Sequence, residues 1–456
     1  MSEFSHTPGV SYEPLRRILS NERIKNIQER IKVRHNEEPI SWDTVAIGSS
    51  DLDDSNWVPS LLIAIDGDYS VSKIETGFPG SEIGYVTVSS VIILIDKIRQ
   101  LEKQEFIDPR EFRKTESASS LDSVFVGCNA VLDGEVSAES SLRRTLYEEF
   151  SSQRISDGGE TLLATYEEML RIRIASSEKT RLPKCPHDTC DADLKLDFGE
   201  YQCDHCNGKL YSTDALRLHE LMNPSGTSGE MFGQIKEALK KLRLIHILRT
   251  LEQREDGYRL FRELAFFIEG SLTVFSAPSW LAKSFRVELA RINAEAKKQA
   301  SCQLLILGIE RSGNFVNHFA ELDTKKDGAS GNFPSHSVFL PTNKYICKNI
   351  VLNDDPQFIY LKDTAFGRKF LYKTKHGLRV VASVASFNEY QSNVETAFPE
   401  QFPRLKDCLN LLDELVSTRY GNSAMPLASA HSEAAIPLNL GKPIFDNISK
   451  EIRERS

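Results

Sequence analysis

Four cysteines crowd into one short segment, Cys185-x4-Cys190 and Cys203-x2-Cys206, the two pairs separated by twelve residues. Each short spacing lets two thiolates face one point, and two such knuckles close the tetrahedral sulfur shell that Zn2+ prefers. Four thiolates leave no open position, so the zinc expected here is structural and holds together a segment too small for a core of its own. His187, His205 and His219 lie nearby and read as neutral solvated side chains rather than ligands. Cys128, Cys302, Cys347 and Cys408 are scattered and read as isolated thiols, without the electropositive surroundings that make a cysteine reactive.

A second set of residues suits hard cations. Asp66 follows Leu61-Leu62-Ile63-Ala64-Ile65 and precedes Gly67-Asp68, while Glu269 follows Leu264-Ala265-Phe266-Phe267-Ile268 and precedes Gly270-Ser271-Leu272. Two apolar strands that each end in an acid and a glycine would bring carboxylates to the rim of a sheet, where the small neighbour admits a ligand. Clustered carboxylate oxygens bind Mg2+ or Mn2+, and a metal pair so held activates water and stabilises a leaving oxygen in phosphodiester cleavage. Taken singly, an Asp-Gly after a strand is more often a hairpin turn.

The elements that must position these residues alternate along the chain. Pro14 to Val33 has the spacing of an amphipathic helix. Leu61 to Ile65, Val71 to Ile74 and Tyr85 to Ile95 read as strands, with Gly77, Gly80 and Gly84 marking a hairpin turn rather than a phosphate loop. Helical periodicity follows over Leu142 to Ser152 and Thr161 to Arg173. The polar tract Ser176 to Thr180 then leads into the zinc segment, and Asn223 to Gly229 breaks the chain after it. Glu230 to Arg254 reads as one long helix with Lys236, Lys240, Lys241, Arg243 and Arg249 on a solvated basic face that could meet phosphate. Strands at Leu264 to Ile268, Leu304 to Ile309 and Leu378 to Val384, with helices between and after them, including an apolar-faced one over Leu405 to Val416, indicate an α/β fold. The expected organisation is an N-terminal helical arm over 1–50, a core in two parts over 51–180 and 216–456, and a zinc-ribbon insertion over 181–215.

The chain has 456 residues, 40% hydrophobic and 27% charged, which fits an ordinary folded protein and excludes wholesale disorder. No apolar stretch is long enough to span a bilayer and the first residues carry no secretory signal, so the expected location is cytoplasmic, with no membrane partner. A net charge of -9 gives no general attraction to a polyanion, and the sequence has no Gly-x4-Gly-Lys-Ser/Thr loop for nucleotide hydrolysis.

The blocks Ala64-Ile65-Asp66-Gly67, Leu251-Glu252, Phe267-Ile268-Glu269-Gly270-Ser271-Leu272, Phe366-Gly367-Arg368-Lys369-Phe370-Leu371-Tyr372-Lys373 and Met425-Pro426-Leu427-Ala428-Ser429-Ala430-His431 occur in an order that resembles the NurA nucleases, whose partner is the HerA translocase. The resemblance implies a ribonuclease H-like mixed sheet flanked by helices, into which the four-cysteine ribbon is inserted. It also implies Mn2+- or Mg2+-dependent DNA cleavage, with Asp66, Glu252 and Glu269 as metal ligands and His431 as the active-site histidine. Asp68 stands where the family usually has serine, and Glu269 where it has aspartate, so a bound metal would shift by about one methylene length. Arg311, in Gly308-Ile309-Glu310-Arg311-Ser312-Gly313, stands for the family's lysine and is the expected DNA contact beside Lys236, Lys240 and Lys241. By the same resemblance the working unit is a homodimer on a hexameric HerA-type ATPase, in DNA end processing or antiviral defence. The segment Leu15 to Ile31 is a candidate docking surface. The alternative reading is a catalytically weakened DNA-binding scaffold or regulatory subunit.

Overall fold

The computed structural model describes residues 21–31, 45–74, 80–97, 116–176, 182–223, 225–325, 331–351, 353–417 and 423–455. The chain divides into two units, Met1–Ser41 and Trp42–Ser456. In the first, the described part is helix α1, Glu22–Arg30; the Asn21 side chain accepts a hydrogen bond from the Arg23 amide at 2.9 Å and so caps its start. Of the amphipathic segment expected over Pro14 to Val33, residues 14–20 and 32–33 lie outside the described residues.

The second unit is built on strands β1 (Ala46–Gly48), β2 (Leu61–Lys73), β3 (Glu82–Leu94), β4 (Glu116–Val126), β5 (Glu200–Gln202), β6 (Lys209–Tyr211), β7 (Leu264–Glu269), β8 (Ile306–Glu310), β9 (Ser337–Phe339), β10 (Gly367–Lys373) and β11 (Arg379–Ala385). Nine of them form one mixed sheet in the order β1-β9-β10-β11-β8-β7-β2-β3-β4, and β5 with β6 makes a separate antiparallel ribbon. β2, β7 and β8 are parallel to one another; the remaining pairs are antiparallel. Residues 46–48, assigned by sequence to an N-terminal arm, already form the edge strand that pairs with β9.

Alternation along the strands creates a core on each face. Ile63, Ile65, Phe266 and Ile268 belong to one, with α2 (Ala138–Ser152), α3 (Leu162–Ala175), α4 (Gly229–Glu252) and α5 (Leu281–Ala300). Leu62, Ala64, Ala265 and Phe267 belong to the other, with α6 (Leu405–Leu415) and the start of α7 (Met425–Arg455). Helices on both faces of a mixed sheet are the α/β architecture that the alternating pattern indicates.

Three features differ from the sequence expectation. The strands expected at Leu61 to Ile65 and Val71 to Ile74 are one strand, β2, which runs without a break through Asp66-Gly67-Asp68 while paired to β3. β4 opens on a serine-rich run, Glu-Ser-Ala-Ser-Ser, that carries no apolar alternation, and only its second half, from Leu121, alternates buried and exposed; the first half is held as strand by its pairing with β3. The third concerns α4, whose stretch 238–248 is buried on all sides between α3, α5, β2 and β3. It presents no solvated basic face: Lys240, Lys241 and Arg243 are 0%, 3% and 2% exposed. Among the described residues no helix is long and apolar enough to cross a membrane.

Candidate active site

β2 pairs in parallel with β7 only as far as Ile65 opposite Ile268. Asp66 is the next residue on β2, and Glu269 is the last on β7, so both acids stand where the parallel pairing ends. There the chain turns away at Gly270, whose φ of +86° favours glycine, close to the ammonium groups of Lys241 and Lys240. At Gly67 a Cβ would meet the Thr87 carbonyl at 3.1 Å, Val88 Cγ2 at 3.2 Å and Lys236 Cγ at 3.3 Å, so the glycine after Asp66 allows the close approach of β3 and α4.

Asp66 is buried and organises the centre. Its Oδ1 accepts from the Gly67 amide at 2.7 Å and lies 3.9 Å from Lys240 Nζ. Its Oδ2 lies 3.1 Å from His431 Nδ1 and 3.3 Å from an Arg311 Nη. Arg311 arrives from the end of β8, and His431 from α7, whose buried Leu427, Ala430 and Ala434 pack one side of the helix inward. Glu269 Oε2 accepts from Lys240, and its Oε1 is 3.9 Å from Arg311 Nε. Lys240 also meets Glu237 Oε1 at 2.9 Å, and Lys241 donates to Glu237 Oε2 at 2.6 Å. A cavity of about 80 Å³ adjoins, lined by Gln234, Glu237, Lys241, Ser271, Thr273 and Phe275 among others.

Charge pairing shifts these groups. Burial would raise the Glu237 carboxyl, but Lys241, Lys240 and Lys236 outweigh it and hold it well below the usual carboxylate range. Burial would lower Lys240, but Glu237, Glu269 and Asp66 raise it above an ordinary lysine. Lys241 is lowered, chiefly by burial. The hydrogen bond to Asp66 raises His431. A raised folded-state pKa contributes stability that is fully present below the unfolded imidazole value and is lost as pH rises through the folded one. In buffer without added divalent metal, His431→Gln should therefore lower the melting temperature more at about pH 6 than at about pH 9. An equal loss at both would exclude the pairing.

The structure brings Asp66, Glu269, Arg311 and His431 together, and adds Lys240 and Glu237. Glu252, expected as the third acid, is placed elsewhere. It ends α4, about 18 Å along the axis from Lys240 by the helical rise. Its carboxylate receives two hydrogen bonds from Arg291, at 2.7 and 2.6 Å, and one from Tyr258. The structure also corrects the expected solvent-facing phosphate contacts. Lys240 and Lys241 are buried among carboxylates, and Lys236 is mostly covered, with Nζ 3.3 Å from Glu237 Oε1. Glu237 was legible only as a helical partner of the lysines three and four residues on, a pattern that usually marks a solvated surface.

The four cysteines converge as their spacing predicts. Their sulfurs all lie within 4.8 Å of one another, with Cys185 to Cys206 at 3.9 Å and Cys190 to Cys203 at 3.8 Å. A tetrahedron of sulfurs around zinc has edges of about 3.8 Å, so the residues fit that ion. The amides of Cys206 and His205 lower the Cys203 thiol to about 6, while burial raises that of Cys185. His187 contacts the Lys209 carbonyl, and His219 is buried rather than solvated. Cys203→Ser should lose the metal and become protease-sensitive between Lys184 and Leu210, with the rest still folded. Elemental analysis and limited proteolysis check both, and zinc retained at full stoichiometry would refute it.

For Mn2+ or Mg2+ the donors are of the right kind: carboxylates of Asp66 and Glu269 and the imidazole of His431. Among the described residues, however, no group of three or more acidic, histidine or cysteine ligand atoms comes within 4.8 Å of one another except the four cysteines.

No curated protein matches the chain. Solved structures similar to it include the crystal structure of the NurA nuclease from Sulfolobus solfataricus, at 11% identity over 96% of this chain and 97% of that one, with a TM-score of 0.31. A second, described as the crystal structure of NurA, is 11% identical over 94% of each chain, with a TM-score of 0.23. The NurA domain matches residues 60–436, a span that runs from the start of β2 through His431, and the chain belongs to the NurA domain family.

Proposed function

We propose that this chain is a divalent-metal-dependent DNA nuclease. The observation that carries the reading is the convergence of Asp66, Glu269, Arg311 and His431 where the parallel strands end, in a chain of the NurA family. Asp66, Glu269 and His431 carry the donor types such an ion takes, their ligand atoms lying farther apart than a closed metal site, and the ion would supply an activated water and charge neutralisation at the scissile phosphate. Arg311, one-third exposed, is a fixed cation for a phosphate oxygen. Asp66 Oδ2 accepts a hydrogen bond from His431 Nδ1–H at 3.1 Å and so orients the ring, leaving Nε2 to bind metal or move a proton. The order β4-β3-β2-β7-β8, an antiparallel meander followed by two strands parallel to β2, supports the ribonuclease H-like reading.

Family membership also supports a homodimer working in the cytoplasm beside a hexameric HerA-type ATPase, in DNA end processing or antiviral defence. The absence of a phosphate loop in the sequence agrees with a separate motor. One observation favours the second reading, a weakened DNA-binding scaffold: Lys240 and Arg311 already neutralise the acids. Incubation of the purified protein with labelled linear and circular DNA under Mn2+, Mg2+ or chelator separates the two. Metal-dependent breakdown supports the nuclease, and intact DNA under every metal, with the ATPase present or absent, supports the scaffold.

A further inference from the structure

The cavity beside the centre has walls that the chemistry at Asp66 does not use. Its polar side holds the Gln234 amide, the Lys241 ammonium and the hydroxyls of Ser271 and Thr273, and its apolar side holds Phe275 and Pro278. At about 80 Å³ it has room for several waters, which is more than a packing defect. It adjoins the centre through both chain and charge: Ser271 is the second residue after Glu269, and Lys241 shares Glu237 with Lys240.

Two of the lining groups stand without a partner. Among the described residues the Gln234 side chain makes no hydrogen bond, and the half-exposed Phe275 ring meets no other ring and no cation. Phe275 is nonetheless held in place. On one side the Val274 amide donates to the Thr364 carbonyl at 2.8 Å; on the other, Ser276 takes φ 63° and ψ -151°, a region populated almost only by glycine. Such backbone persists only where the surrounding structure imposes it, and it clusters at ligand clamps.

The lining decides what the ligand is. A phosphate does not suit it, because its one cation, Lys241, already donates to Glu237, whose carboxylate is also in the wall. An aliphatic group would leave the Gln234 amide unpaired. A nucleobase meets both sides, since its face stacks on an aromatic ring and its edge offers donors and acceptors to an amide and to hydroxyls.

We propose that this cavity is a nucleobase pocket, which takes the base of an unpaired nucleotide next to the scissile phosphate, its face on Phe275 and its edge on Gln234, Ser271 and Thr273. The inference rests on the nuclease reading and deepens it: a base enters only after leaving its partner strand, so the DNA at this point is single-stranded or locally melted.

The test is binding of the full-length, zinc-loaded protein to two fluorescent strands of equal length, one of thymidines and one of stable abasic residues, measured by anisotropy without added divalent metal. The unmodified protein should prefer the strand that carries bases. Phe275→Ala should weaken that strand about tenfold and leave the abasic strand unchanged, and Phe275→Trp should restore the preference. Gln234→Ala should weaken the same strand about threefold. Melting temperatures should not move, since both side chains are partly exposed. A DNA-cutting protein that shows no preference between the strands, or keeps its preference in Phe275→Ala, would overturn the pocket and leave the nuclease reading standing. Equal losses on both strands would overturn it too, and make Phe275 a structural residue. If the unmodified protein neither binds nor cuts DNA under any metal, the nuclease reading fails and this inference with it.

Discussion

Asp66→Ala should reduce metal-dependent DNA cleavage by at least about a thousandfold while leaving the chain folded. The large effect follows from the number of groups that meet at one carboxylate: His431 and Arg311 on one oxygen, Lys240 and the Gly67 amide on the other. Without it the ion loses a ligand, and the imidazole loses the partner that orients it. The fold should survive, because Lys240 keeps Glu237 and Glu269 and is not left as an unpaired buried charge. Single-turnover cleavage, together with circular dichroism and melting of the same preparation, checks both halves. An unchanged rate would place the nuclease site elsewhere and make Asp66 a structural acid. Cleavage lost together with the melting transition would show that Asp66 serves the fold.

The second large effect is on stability. Asp214→Ala should destabilise the protein by about 3–5 kcal/mol, because it leaves a guanidinium buried without its carboxylate. Arg143, on α2, donates from Nε and Nη2 to Asp214 at 2.7 Å each, and the two side chains are 4% and 1% exposed. The same Asp214 accepts from the Tyr211 amide at 2.9 Å, and Arg143 also donates to the Lys209 carbonyl at 2.8 Å. This pair fastens β6, the strand that follows the second cysteine knuckle, to the helical layer. Replacing both partners by apolar residues of similar volume, Arg143→Met with Asp214→Leu, should recover much of the loss. Denaturant unfolding of the three proteins measures it, and a loss below about 1 kcal/mol for Asp214→Ala would show the pair to be solvated in solution.

The zinc knuckles were legible from sequence because their geometry is local: residues three to five apart in a turn readily face one another, and no distant element decides their ligand set. The two acid-glycine strands were legible for a related reason. A short apolar run followed by a charge marks the point where a buried strand leaves the core, and Asp66 and Glu269 stand where the parallel pairing ends, although β2 itself continues. Several element boundaries were close, including the helix from Leu405, since caps and periodicity are local too.

What the tertiary structure alone decided is which charges share the site. A helix with lysines among leucines reads as amphipathic, and solvating its polar face is the inexpensive outcome for an isolated helix. In this chain the helix is enclosed by two other helices and the sheet, so its lysines are placed against carboxylates from β2 and β7 that lie far away in sequence. The acid that faces them was equally hidden. Glu252 and Glu237 are both glutamates on α4, and helical spacing treats them alike. Only the direction in which α4 crosses the sheet sets Glu237 beside Glu269 and carries Glu252 to the opposite end, where Arg291 neutralises it. The sequence by itself determined which residues are able to bind metal, because that is a property of side-chain chemistry; the fold decided which of them meet, because desolvated charges must be paired and the pairing depends on contacts between segments distant along the chain.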